Sequence, residues 1–183
     1  MDMRDNKIQR LTITALMAAV LCVMGPIVIP IGMVPLSFAN MAIYLAIILL
    51  DKKKALISTA VYLLIGFVGI PVYSGFSAGA GKLFGPTGGY LIGYLVLSFL
   101  GGSFLENVKY QGKQKVWYQI LALSIGTIGL YLVGTLWLMY QSKLNLMTAL
   151  SVGVFPFLVF DIIKILLAIG IGNSIKKRLL FLL

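Results

Sequence analysis

Histidine is missing from this 183-residue chain, cysteine occurs once as Cys22, and only 11% of the residues are charged. With no imidazole and a single thiol, the sequence offers no zinc, haem or iron–sulfur ligand set and no internal disulfide. No metal and no cofactor is expected. Acids are equally scarce: Asp2, Asp5, Asp51, Glu106 and Asp161 are the full set, and an intramembrane enzyme would need clustered nucleophiles, carboxylates or metal ligands. What is abundant is apolar. Hydrophobic residues make up 60% of the chain and the mean hydropathy is +1.02, outside the range of soluble domains. The chain reads as an integral membrane protein. At roughly 20 residues per span it has room for about six helices joined by short connections, and for no soluble domain of useful size, so any energy source or large partner has to be a separate protein.

Six apolar runs stand between charges or Pro/Gly punctuation, at about residues 8–28, 36–50, 55–70, 89–105 and 116–140, with a sixth that starts between 146 and 156 and ends near 174. The expected fold is all-α, a single six-transmembrane-helix bundle over residues 1–183. Twelve of the fifteen cations then fall on one side: Arg4, Lys7, Arg10, Lys52, Lys53, Lys54, Lys109, Lys113, Lys115, Lys176, Lys177 and Arg178. Lys82 and Lys143 fall on the other, and Lys164 lies inside the sixth run. The excess of cations on cytoplasmic loops puts both termini in the cytoplasm of a cell-membrane protein. The net charge of +10 is therefore a topology signal that also meets anionic lipid headgroups, at about 1 kcal/mol per residue. Nucleic acid is not an expected partner, since no soluble basic domain exists to carry it. The polar start before Leu11 and the long run after it do not fit a cleaved signal peptide.

Two charges remain inside the apolar mass. An ionisable residue near the centre of a span costs roughly 2.5–3.5 kcal/mol on insertion scales, and Asp161 and Lys164, three residues apart in FPFLVFDIIKILLA, share one helical face. They read as a polar ligand site in which Asp161 accepts and Lys164 donates hydrogen bonds; a self-neutralising structural pair and a proton relay are the alternatives. Pro156 should kink or begin the helix that carries them; if the helix begins there, the segment from Ser142 to Phe155 is an outer loop or a short helix and Asp161 lies in the outer half.

The stretch from Pro71 to Tyr90 holds Gly75, Gly79, Gly81, Gly85, Gly88 and Gly89. Such a density permits turns and close approach of backbone to a ligand. It reads as a plain connector or as a lid, with Lys82 facing an anionic ligand group and Tyr73, Phe76, Phe84, Tyr90 and Tyr94 as flat walls. GAGKL is not a phosphate loop, because Phe76 stands where the first glycine belongs and Leu83 replaces the hydroxyl residue. Ala15 and Ala19 in TALMAAV, like Gly89 and Gly93, have the small-xxx-small spacing of closely packed helices.

Taken together, GPTGGYLIGY at residues 85–94, PFLVFDIIKILLA at 156–168, TALMAAV and VPLSFANM at 34–41 make the chain resemble the BioY family, the biotin-specific substrate-binding (S) components of energy-coupling factor (ECF) vitamin transporters. Where the family pattern leads one to expect Gln, this chain has Ala39 beside Asn40. The resemblance implies a six-helix, non-enzymatic protein that captures biotin from outside and delivers it in complex with a transmembrane coupling subunit and two cytoplasmic ATPases, the whole subunit reorienting in the membrane. It implies a site in which Asp161 takes the ureido N–H groups, Lys164 the ureido carbonyl or the carboxylate, and Lys82 the carboxylate. Asn40 and Tyr90 add hydrogen bonds, and glycines such as Gly88 and Gly89 admit the backbone. Ala15 and Ala19 would pack on the coupling subunit. The competing reading is a stand-alone secondary transporter with Asp161 as proton carrier.

Overall fold

The computed structural model describes residues 3–30, 34–106 and 113–182, with side chains over 8–30, 34–106 and 115–178. Lys109 and Asp2 lie outside the described residues, as do the side chains of Arg4, Asp5, Lys7 and Lys113. The described chain is mainly helical, with one small hairpin: α1 (Met3–Met24), β1 (Val28–Ile29), β2 (Leu36–Ser37), α2 (Ala39–Leu49), α3 (Lys52–Val68), α4 (Ala80–Leu83), α5 (Gly88–Glu106), α6 (Lys113–Ser142), α7 (Leu146–Gly153) and α8 (Phe155–Leu182). Among the described residues, Gly88–Glu106, Lys115–Ser142 and Leu146–Arg178 are long and apolar enough to cross a membrane.

Local chemistry sets the boundaries. Asp51 caps α3 by accepting the Lys54 N–H at 3.0 Å and the Lys54 ammonium at 2.6 Å, which satisfies a first-turn donor that has no partner within the helix. At the far end α3 stops on Gly69, whose φ of +114° is costly for any residue with a Cβ. Asn145 repeats the capping arrangement for α7, accepting from the Thr148 N–H at 2.8 Å. The backbone then breaks at Val154, and Pro156 falls in the first turn of α8, where its missing N–H loses no helical bond.

The helices run up and down between two ends. At one lie Asp51, Arg10, Glu106 and Lys53 around a shared groove, with Lys176 donating to the Ile48 carbonyl at 3.4 Å. The other end holds the β1–β2 hairpin, α4, α7 and the start of α8. Glycines set the closest approach, between α5 and α6. A Cβ on Gly93 would lie 2.7 Å from Leu130 Cδ1, and one on Gly126 would lie 2.9 Å from the Leu97 carbonyl oxygen. Buried hydroxyls and amides pin the helices crosswise. Thr127 gives its proton to the Leu123 carbonyl at 2.8 Å, so the Tyr44 phenol donates to Thr127 Oγ1 at 2.8 Å. Gln119 of α6 and Asn173 of α8 exchange reciprocal amide bonds of 3.0 and 2.8 Å.

The structure amends the expected boundaries. The first apolar run, expected to be helical to residue 28, ends as a helix at Met24, because Gly25 and Pro26 turn the chain and Val28 pairs with Ser37 across the hairpin. The second run therefore starts in a strand at Leu36 and becomes helical only at Ala39. The glycine-rich stretch contains the single-turn α4 and a bridge between Tyr73 and Ser77.

A Gly126→Val substitution is expected to lower stability by about 1–3 kcal/mol, the cost of overpacking a tight crossing. A fall in the thermal midpoint of the detergent-purified protein measures it, and an unchanged midpoint would show that the α5–α6 contact is looser than its geometry.

Candidate functional site

Asp161 and Lys164 face inward from the second and third turns of α8, and both are 5% exposed. The ion pair between them is 3.1 Å long. Burying two charges is tolerated only when every remaining donor and acceptor is matched, and the neighbouring segments supply the matches. The Lys164 ammonium has three N–H groups. They go to the Ser37 carbonyl at 2.7 Å, Asn40 Oδ1 at 3.0 Å and Asp161 Oδ1 at 3.1 Å. Lys164 is thus saturated by the protein, and the Phe38 ring stands 5.7 Å from the ammonium.

Asn40, in the first turn of α2, is held by opposite charges on its two ends. Its Nδ2 donates to Asp161 Oδ1 at 2.7 Å, while Oδ1 accepts from Lys164 and from the Met41 N–H at 3.1 Å. Only this amide orientation satisfies a carboxylate on one side and an ammonium on the other. The hairpin fixes the approach: Ser37 Oγ accepts from the Ala39 N–H at 3.1 Å, so the chain turns from β2 into α2 with the Ser37 carbonyl aimed at Lys164. The second carboxylate oxygen, Asp161 Oδ2, accepts the Tyr131 phenol of α6 at 2.5 Å.

Above this network opens a cleft of about 560 Å³, its mouth included. Asp161, Lys164, Asn40, Ser37 and Tyr131 line it together with Tyr90 and Tyr94 of α5, Phe157 of α8 and Lys82 of α4. Its walls are aromatic and aliphatic, and its polar groups converge from six elements, β2, α2, α4, α5, α6 and α8, the composition of a small-molecule site. Tyr90 carries a second task, since its phenol donates to the Gly153 carbonyl at 3.1 Å. That bond satisfies an acceptor left open where α7 breaks from α8.

Of the residues singled out in the sequence, Asp161, Lys164, Asn40, Tyr90 and Lys82 are brought to one cleft. Gly88 and Gly89 are not. A Cβ on Gly88 would lie 1.7 Å from the Leu83 carbonyl oxygen and one on Gly89 2.2 Å from Trp137 Cβ, so both serve packing of α5 against α4 and α6 and do not line the cleft. Among the expected aromatic walls Tyr94 and Tyr90 take that place. Tyr73 is buried elsewhere, with its phenol on the Leu63 carbonyl at 2.5 Å, and Phe76 and Phe84 are 72% and 56% exposed. Ala15 and Ala19 are exposed on α1, between Leu11, Leu16 and Val23 at 63%, 64% and 68% exposure; they do not pack within the bundle. Tyr131 is the residue sequence reasoning missed. A tyrosine in an apolar helix carries no signal of its own, and only its height opposite Asp161 on a neighbouring helix gives it meaning.

Lys164→Met leaves Asp161 as an uncompensated buried charge, and a loss of about 3–5 kcal/mol is expected. Adding Asp161→Asn should recover part of it. Thermal denaturation of the two variants checks this, and a single variant as stable as wild type would mean that the pair is hydrated.

The sequence matches the family model described as "BioY family" over residues 1–181. "Biotin transporter BioY2" of Lactococcus lactis subsp. cremoris (strain MG1363) is 36% identical over 180 residues, 97% of this chain and 95% of that protein. "Probable biotin transporter BioY" of Pyrococcus horikoshii is 34% identical over 170 residues, 93% of this chain and 98% of that protein. Among solved structures, the "S-component for biotin from an ECF-type ABC transporter" superposes with a TM-score of 0.88 at 34% identity, covering 97% of this chain and 95% of the other. Agreement of sequence over nearly the whole length with agreement of fold settles its kinship: the chain belongs to the BioY family.

Proposed function

We propose that this protein captures biotin in the cleft above Asp161 and passes it across the cell membrane as the S component of an ECF importer. The observation that carries this reading is the buried network of Asp161, Lys164, Asn40 and Tyr131 on the floor of an open, aromatic-walled cleft, in a chain whose relatives are named biotin transporters. Biotin's ureido ring offers N–H donors, its thioether ring is apolar and its tail ends in a carboxylate. The cleft matches these with a carboxylate acceptor at the floor, apolar and aromatic walls, and Lys82 for the tail. The glycine-rich segment that carries Lys82 closes over the bound vitamin.

In this reading α1, α2, α3, α5, α6 and α8 are the six spans. Lys52, Lys53, Lys54, Lys115, Lys176, Lys177 and Arg178 mark the cytoplasmic end together with both termini, and the site opens outward. The chain has no catalytic task. Transport energy comes from two cytoplasmic ATPases through a transmembrane coupling subunit, and the exposed Ala15–Ala19 ridge of α1 is the surface that meets it, because small side chains let another helix approach closely. Reorientation of the whole subunit then presents the site to the cytoplasm.

Asp161→Asn should weaken biotin binding at least tenfold, about 1.4 kcal/mol, in calorimetric titration of the folded variant; unchanged affinity would remove Asp161 from the site. Titration of the wild type with other water-soluble vitamins tests the substrate itself, since binding of another vitamin without biotin would overturn the assignment. Ala15→Trp with Ala19→Trp is expected to abolish co-purification with the coupling subunit while biotin affinity stays at the wild-type value. Proton-gradient-driven uptake without any ATPase would favour the secondary-transporter reading instead.

A further inference from the structure

The motif GPTGGY at residues 85–90 gives Thr87 and Tyr90 to the cleft, while its glycines pack against protein. What they pack against is the turn that carries Lys82. A Cβ on Gly85 would lie 2.8 Å from the Gly81 carbonyl oxygen, and one on Gly88 1.7 Å from that of Leu83, so α4 rests directly on the start of α5. Gly89 does the same towards α6, where a Cβ would lie 2.2 Å from Trp137 Cβ and 3.1 Å from the Val133 carbonyl oxygen. That closeness lets two α6 side chains, one helical turn apart, reach the chain just after α4. The Trp137 indole N–H donates to the Gly85 carbonyl at 3.0 Å, and the Gln141 amide donates to the Phe84 carbonyl at 2.6 Å. On the other side of the turn, the Gly79 N–H donates to the Gly66 carbonyl of α3 at 2.7 Å. A single turn such as α4 is too short to be stable by itself; here it is strapped between α3 and α6.

Lys82 is the residue that this strap presents to the cleft. It enters neither ion pair found among the described residues, Lys54–Asp51 and Lys164–Asp161. Its ammonium is a point charge on a long flexible stem, so how well it meets an anion depends on where its backbone is held. We propose that Trp137 and Gln141 are positioning residues for recognition of a ligand carboxylate: by holding the Gly85 and Phe84 carbonyls they fix the Lys82 turn at the cleft. This rests on the reading of the cleft as a biotin site and deepens it, naming the residues through which the cleft favours an anionic tail over a neutral one. Trp137 carries the larger share, since its indole is half-buried, whereas Gln141 is exposed and water competes for its bond.

Trp137→Phe combined with Gln141→Leu removes both donors and keeps apolar bulk, and calorimetric titration with biotin and with biotin methyl ester reads the consequence. The wild type should prefer biotin to the ester about tenfold, the worth of one hydrogen bond to a charged group. The double variant should lose most of that preference, weakening for biotin while its affinity for the neutral ester stays at the wild-type value. Gln141→Leu alone, at an exposed site, should shift the preference less and in the same direction. Lys82→Met should show the pattern of the double variant, and combining all three changes should cost no further biotin affinity, because they act on one contact. Side chains that merely support the fold would weaken both ligands alike. Equal losses for biotin and ester, no loss for either, or additive losses in the triple variant overturn the positioning role. A wild type that binds the two ligands equally overturns it as well, while leaving the biotin site on Asp161 standing. Failure of the wild type to bind biotin overturns both.

Discussion

A carboxylate placed among aliphatic side chains must be given donors, and the site end of this molecule is organised around meeting that demand for Asp161. The lysine one turn along supplies charge, but an ammonium brings three donors of its own that need acceptors. One of these acceptors is the Ser37 carbonyl, which explains why the chain enters α2 through a short antiparallel hairpin in place of a continuous helix. A second is Asn40, whose two ends suit opposite charges. Local irregularity and local charge are two sides of the same constraint.

The same logic extends to the break before α8. Interrupting a helix leaves carbonyls without partners, and in an apolar setting each must be matched. Tyr90 reaches across from α5 to accept that duty for Gly153, so the helix that forms one wall of the cleft also stabilises the broken backbone of the other. Close approach of α5 to α6 through Gly89, Gly93 and Gly126 sets how far Tyr90 stands from Gly153 and how Tyr131 meets Asp161. Close packing beside the polar groups thereby fixes distances within them.

What could be read from the sequence follows from how costly each feature is. Asp161 and Lys164 were legible because a charge in an apolar run has few uses, and Pro156 because its ring permits few positions in a helix. Asn40 gained its place from family likeness, not from any spacing. Gly88 and Gly89 misled, since glycine marks close approach without saying whether a ligand or another helix comes near. The hairpin was invisible: four paired residues in apolar surroundings leave no alternation long enough to separate strand from helix. Tyr131 was beyond reach, because its meaning depends on the antiparallel alignment of α6 with α8, which no local pattern encodes.

That alignment has a mechanical meaning. Tyr131 meets Asp161 near one end of the helix pair, and Gln119 meets Asn173 near the other. Each pair of contacts is separated by twelve residues along both helices, about 18 Å at 1.5 Å per residue. The two polar contacts act as dowels driven through matching holes: sliding α8 by a single residue misaligns both together. Shear between these helices is the motion the bundle resists.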